Sequence, residues 1–78
     1  MSYGYSQSLA RANRQASSKS LGVVLGRVCI EKDISVIAVA DAFKVSRMTV
    51  YNWFKGVSVP HPSLHLPIER YIRTHSKK

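Results

Sequence analysis

Arg47, Met48, Tyr51, Asn52 and Lys55 fall at offsets of one, four, five and eight from the first of them, a spacing that gathers side chains on one face of a helix. Their chemistry suits the edges of base pairs. A guanidinium pairs bidentately with guanine and a carboxamide with adenine, Met48 and the Tyr51 ring can rest on a thymine methyl, and the ammonium of Lys55 matches a phosphate. Val50, Trp53 and Phe54 in the same stretch are apolar and belong on the opposite, buried face. A merely solvated helix surface uses similar residues, so the charge of the whole chain has to be weighed as well.

Twelve Lys and Arg against four Asp and Glu give a formal net charge of +8 over 78 residues, with a pI near 10.2. Such a field attracts polyanions, and nucleic acid is the natural partner. The cations are spread along the chain and do not line one amphipathic face, which argues against a membrane surface. At 45% apolar and 21% charged residues the chain has the composition of a globular domain. A chain this short buries only ~60% of its unfolded surface, so the core is small. The single Cys29 cannot form an internal disulfide, no apolar run nears a membrane span, and the polar start MSYGYSQSLARANRQ is unlike a signal peptide. A cytoplasmic protein is expected.

Catalytic chemistry finds no footing. Four acidic residues, three histidines and one cysteine offer no nucleophile–base pair or phosphate-cradling glycine loop at a workable spacing. His61 and His65 are four apart, but Pro62 interrupts them and no carboxylate or thiolate lies nearby. Neither an enzyme nor a metal site, cofactor or small-molecule ligand is expected.

The elements that must position the candidate face follow from spacing and punctuation. Residues 1–18 read as a flexible basic arm, with Arg11, Arg14 and Lys19 placed to follow phosphates or enter the minor groove. A helix over 8–15 has fair propensity but no evident anchor. Residues 19–78 form the domain. Leu21, Val24, Leu25, Val28 and Cys29 predict a helix over 19–32. Gly22 and Gly26 weaken that helix by ~1 kcal/mol each relative to Ala, but glycines four apart admit a second helix closely. Ser35 is placed to cap a helix over 36–43 with the stripe Val36, Val39, Ala40 and Phe43, and Ser46 to cap one over 47–55 that Gly56 ends. VSVPHPSLHLP reads as an extended connection with at most one helical turn at 63–66. Pro67 suits the first position of a last helix, 67–74, that buries Ile68, Tyr71 and Ile72.

The stretch VIAVADAFKVSRMTVYNWFKG, residues 36–56, resembles the helix-turn-helix of phage repressor and Cro-type proteins. The resemblance rests on Ala40 at the packing position, Val45-Ser46 at the turn, Val50 in mid-helix, the aromatic pair Trp53-Phe54 and the closing Gly56. It implies an all-α, lambda repressor-like domain of four helices, and a sequence-specific regulator of transcription from a phage or mobile element, repressor-like, that binds double-stranded DNA. By position it brings Ser46, Arg47, Met48, Tyr51 and Asn52 to base edges, and Ser35 and Thr49 to phosphate. The family often has glycine at the turn where this chain has Lys44. A positive backbone dihedral there strains Lys by ~1 kcal/mol, while adding, with Lys55, a cation beside the DNA backbone. One such helix contacts few base pairs, so a homodimer across two half-sites is expected. Leu64, Leu66, Ile68, Tyr71 and Ile72 are its expected surface. The rival readings are a DNA-packaging or recombination accessory without regulation, and a protein-interaction module that docks its basic face on an acidic protein.

Overall fold

Three serines open helices in the computed structural model of the chain, which describes residues 6–76. Ser6, Ser35 and Ser46 each stand in extended backbone and accept the amide three residues on, from Leu9, Ala38 and Thr49, at 3.1 Å. Each bond satisfies one of the amides a helix start leaves without an internal partner. The described residues are otherwise α1 (Gln7–Gln15), α2 (Leu21–Glu31), α3 (Val36–Phe43), α4 (Arg47–Lys55) and α5 (His65–Ser76), the last entered through a 3₁₀ turn at Pro62–Leu64. The fold is all-α, with five helices where the spacing predicts four.

Consecutive helices end by one device. Asp33, Lys44 and Gly56 follow α2, α3 and α4 with φ of 57°, 59° and 77°. The residue after each folds back, so that Ile34 donates to the Cys29 carbonyl at 2.8 Å, Val45 to Ala40 at 3.0 Å and Val57 to Asn52 at 2.9 Å. These are Schellman terminations, which reverse the chain in two residues; after α2 and α3 they turn the following apolar side chain, Ile34 or Val45, inward, whereas Val57 after α4 stays exposed. Only one uses glycine. At Lys44 the left-handed backbone falls at the turn position where glycine is common in the family the stretch resembles; at Asp33 the sequence carries no comparable signal.

Helix α2 is the central element, packed against α1, α4 and α5. Its buried residues are Gly22, Val23, Leu25, Gly26 and Cys29. This differs from the expected stripe: Val23 is wholly buried, whereas Leu21, Val24 and Val28 are half-buried. The glycines explain the shift. A Cβ on Gly22 would stand 2.8 Å from the Trp53 Cβ, and one on Gly26 2.8 Å from Cγ of Phe54, so α4 lies nearly backbone-to-backbone on α2. The core is completed by Val39, Val50, Phe54 and Ile68, all without exposed surface, and by Trp53.

The expected arm is corrected by α1. Residues 1–5 lie outside the described residues, but 7–15 are helical, with Leu9 and Asn13 buried. The missing anchor is polar. Asn13 Nδ2 donates to the Phe54 carbonyl of α4 at 2.8 Å and to the Val23 carbonyl of α2 at 3.1 Å. Arg27 of α2 reaches the far end of α1 and donates to the carbonyls of Ala16 at 2.9 Å and Arg14 at 3.1 Å. A cation is thereby set on the negative end of the α1 dipole.

Helix α5 begins two residues before its predicted start. Pro67 sits in the first turn, where an absent amide hydrogen breaks no bond. The dimer surface expected there is largely used within the chain. Ile68 is in the core, and Leu64, Tyr71 and Ile72 pack against it, leaving Leu66 at 57% exposure. Among the described residues no helix is long and apolar enough to cross a membrane.

Gly26 offers a direct check of the α2–α4 contact. Alanine favours helix by ~1 kcal/mol, but its methyl would lie 2.6 Å from Asn13 Nδ2 and 2.8 Å from Phe54 Cγ, and overpacking costs ~1–3 kcal/mol. Gly26→Ala is expected to lower stability by about 1 kcal/mol in urea denaturation; a stabilised variant would show that the contact is loose.

Candidate nucleic-acid interface

The candidate face is carried by α4, and its direction is set by what the other side of that helix buries. Val50, Trp53 and Phe54 are 0%, 3% and 0% exposed. Trp53 meets Phe43 of α3 edge-on, with ring centroids 6.3 Å apart, and Phe43 meets Tyr71 of α5 at 5.2 Å. Helix α4 is therefore pinned on three sides, by α2, by α3 and by the Asn13 bond to its last turn. It cannot roll about its axis without exposing an aromatic ring.

Arg47 and Lys55 stand exposed on the opposite side with Met48, which is 66% exposed. Asn52 and Thr49 are half-buried at the flanks. Helix geometry brings Arg47, Met48, Asn52 and Lys55 to one surface, as their spacing predicts. Lys44 is exposed in the turn before α4. Tyr51 behaves differently. Its side chain is half-buried against the core and lines a groove between α4 and α1 with Ser6, Ser8, Leu9 and Lys55.

The three hydroxyls assigned to DNA already have partners in the fold. Ser35 caps α3. Ser46 caps α4 and lies 2.9 Å from Thr49 Oγ1. Ser35 and Ser46 have an acceptor position spent on the helix starts, and one of the two hydroxyl hydrogens of Ser46 and Thr49 is spent between them, so Ser35 keeps a hydrogen for a ligand and Ser46 and Thr49 keep one between them. Capping ranks first at Ser46, because the helix that presents Arg47 and Met48 begins there.

The basic residues assigned to an arm are separated. Arg11 and Arg14 are exposed on α1, which packs against α4. Lys19 instead lines a second groove with Leu21, Val24, Val59, Pro60, His65 and Glu69. Sequence reasoning missed Asn13 and Arg27, which hold α1, and Ser6, Ser8 and Leu9, which bring it beside the candidate face. One signal was present: Ser6 stands three residues before Leu9, as a capping serine must.

Cys29, His61 and His65 each have a place in the fold. Cys29 is wholly buried, and burial pushes its thiol from the ordinary 9.0 up to about 12. Burial, and secondarily the Cys29 charge, also raises the Tyr71 phenol. His61 Nδ1 accepts the Ser63 amide at 3.1 Å and so opens the 3₁₀ turn, while His65 Nε2 lies 3.2 Å from the Pro60 carbonyl. Among the described residues no three of His, Cys, Asp and Glu are grouped to hold a metal ion.

Two measurements probe these placements. Lys44→Gly relieves the left-handed strain and is expected to stabilise the protein by ~1 kcal/mol, which raises Tm by about 4–8 °C in a domain of this size; an unchanged Tm would mean the strain is absorbed elsewhere. Cys29 has its folded pKa raised above its unfolded one, so its contribution is intact below pH 9 and is lost as pH climbs from 9 towards 12. Cys29→Ala is expected to flatten the alkaline fall in stability, and the wild-type thiol should react with an aromatic disulfide at pH 8 only as fast as the protein unfolds.

Comparison with protein-family models, curated proteins and solved structures finds no match to the chain, so its function has to be argued from the residues of the candidate face.

Proposed function

We propose that the protein binds double-stranded DNA in a sequence-specific way and regulates transcription as a repressor-like protein, with α3 and α4 acting as a helix-turn-helix and α4 lying in the major groove. One observation carries the reading. Helix α4 buries Val50, Trp53 and Phe54 almost completely while Arg47, Met48 and Lys55 stand exposed, so the donors that read bases are held on a helix that cannot turn away. A net charge of +8 supplies the attraction to phosphate.

Dimensions support two copies on one site. The nine residues of α4 span ~13 Å, the length of about four base pairs, which specifies little. The described residues extend 31 Å in their longest direction, close to the ~34 Å between half-sites one turn apart. With Leu64, Ile68, Tyr71 and Ile72 engaged inside the chain, the large apolar residues left exposed outside the reading face are Ile37, Val57, Val59 and Leu66, at 61%, 70%, 70% and 57%. The same reading places the protein in the cytoplasm of a bacterial or phage-infected cell, where such DNA is found.

Arg47 reads guanine and Asn52 reads adenine; Lys44 and Lys55 hold phosphate. Selection of bound duplexes from a random pool is expected to recover one preferred, two-fold symmetric sequence. Arg47→Ala and Asn52→Ala should each cost ~1–3 kcal/mol on that sequence and much less on random duplex. Binding that follows salt but no sequence would point to an accessory role, and indifference to duplex DNA would sink the reading.

A further inference from the structure

Helix α1 brings a second wall to α4, and between them lies a groove of about 450 Å³ lined by Ser6, Ser8, Leu9, Tyr51 and Lys55. We propose that this groove seats the sugar-phosphate backbone of the duplex whose bases α4 reads, with the Lys55 ammonium and the Ser8 and Tyr51 hydroxyls on a phosphate. The proposal rests on the DNA-binding reading of α4 and extends the footprint to a helix outside the stretch that resembles a helix-turn-helix.

The lining determines the ligand. Its one charged residue is a cation, three of its five residues carry hydroxyl groups, and Leu9 with the Tyr51 ring forms an apolar floor of the kind a deoxyribose can rest on. The second groove of the molecule is its contrast. There Glu69 accompanies Lys19, with Ser20 and His65, among Leu21, Val24, Val59 and Pro60, and a carboxylate beside the lysine offsets its attraction for a phosphate. Position agrees with chemistry. Tyr51 and Lys55 lie one turn apart on α4, Lys55 on the surface that also holds Arg47 and Asn52 and Tyr51 half-buried beside α1, so a strand leaving the base pairs under α4 passes along α1.

Rigidity makes the groove usable. The Asn13 bonds to Phe54 and Val23 and the Arg27 bonds at the end of α1 hold both walls in place without a ligand, so little ordering cost falls on binding. Tyr51 is thereby a backbone contact and not a base reader. Its half-buried ring against the core leaves it the phenol to offer.

The test compares three variants on the preferred duplex and on a random one across a salt series. Ser8→Glu puts an anion into the groove at the first turn of α1, where negative charge suits the helix, so the fold should persist in a thermal melt. Thr74→Glu makes the same charge change on the exposed side of α5. Ser8→Glu is expected to weaken both duplexes about tenfold at low salt, with the loss shrinking as salt rises, and Thr74→Glu less than about twofold. Tyr51→Phe should lose several-fold in affinity and keep the same preferred sequence. Equal effects of Ser8→Glu and Thr74→Glu overturn the groove while leaving the reading of α4 intact. A changed sequence preference in Tyr51→Phe overturns the backbone role of Tyr51, and a wild-type protein that ignores duplex DNA overturns both the reading and the groove.

Discussion

The distance between α2 and α4 governs the rest of the molecule. With no side chain at Gly22 or Gly26, the two helices meet at the backbone, and Trp53 and Phe54 fill space that side chains on α2 would otherwise occupy. That contact brings the Phe54 and Val23 carbonyls near enough for one carboxamide to bond both. Asn13 supplies it, and its burial is tolerable only because both bonds form. A buried amide left without partners costs ~1–3 kcal/mol, a large share of the stability of so small a domain. The glycines cost helix propensity and return a three-helix junction in which α1, α2 and α4 share one hydrogen-bond node.

From this node the placement of α4 follows. Its inner face is held by α2 through the glycines, by α3 through the Phe43–Trp53 ring contact, and by α1 through the Asn13 bond. The relay continues from Phe43 to Tyr71 and from Tyr71 to His75, so α5 is tied to the same aromatic cluster. This accounts for the small apolar surface of α5. A domain with a narrow core draws on the side chains of its last helix to cover Phe43, and few remain to meet another copy.

Short connections keep the helices in contact. Two of the three left-handed residues that end α2, α3 and α4 are not glycine. The strain at Asp33 and Lys44 is offset by the paired bonds that each termination forms and by burial of the apolar residue behind it, Ile34 or Val45. At Lys44 the side chain also remains exposed beside α4. The same position therefore serves the turn with its backbone and leaves its ammonium free at the surface.

Local signals in the sequence determined the parts of the protein that depend on neighbours within a few residues. Ser35 and Ser46 as caps, the stripe Val36, Val39, Ala40 and Phe43, the end of α4 at Gly56 and the division of α4 into Val50, Trp53 and Phe54 against Arg47, Met48, Asn52 and Lys55 all rest on one-turn spacing, and the structure has them so. Gly22 and Gly26, four apart, signalled a close approach, but only the tertiary structure decided that α4 is the helix that makes it and therefore which way α2 turns. It also decided that residues 7–15 are a docked helix, since α1 is weakly apolar and its anchor, Asn13, is a polar residue whose partners lie 10 and 41 positions away. The shift of Tyr51 from the exposed face to a groove wall has the same origin. Periodicity reports which residues share a side of one helix, but only packing reports which other helix stands beside it.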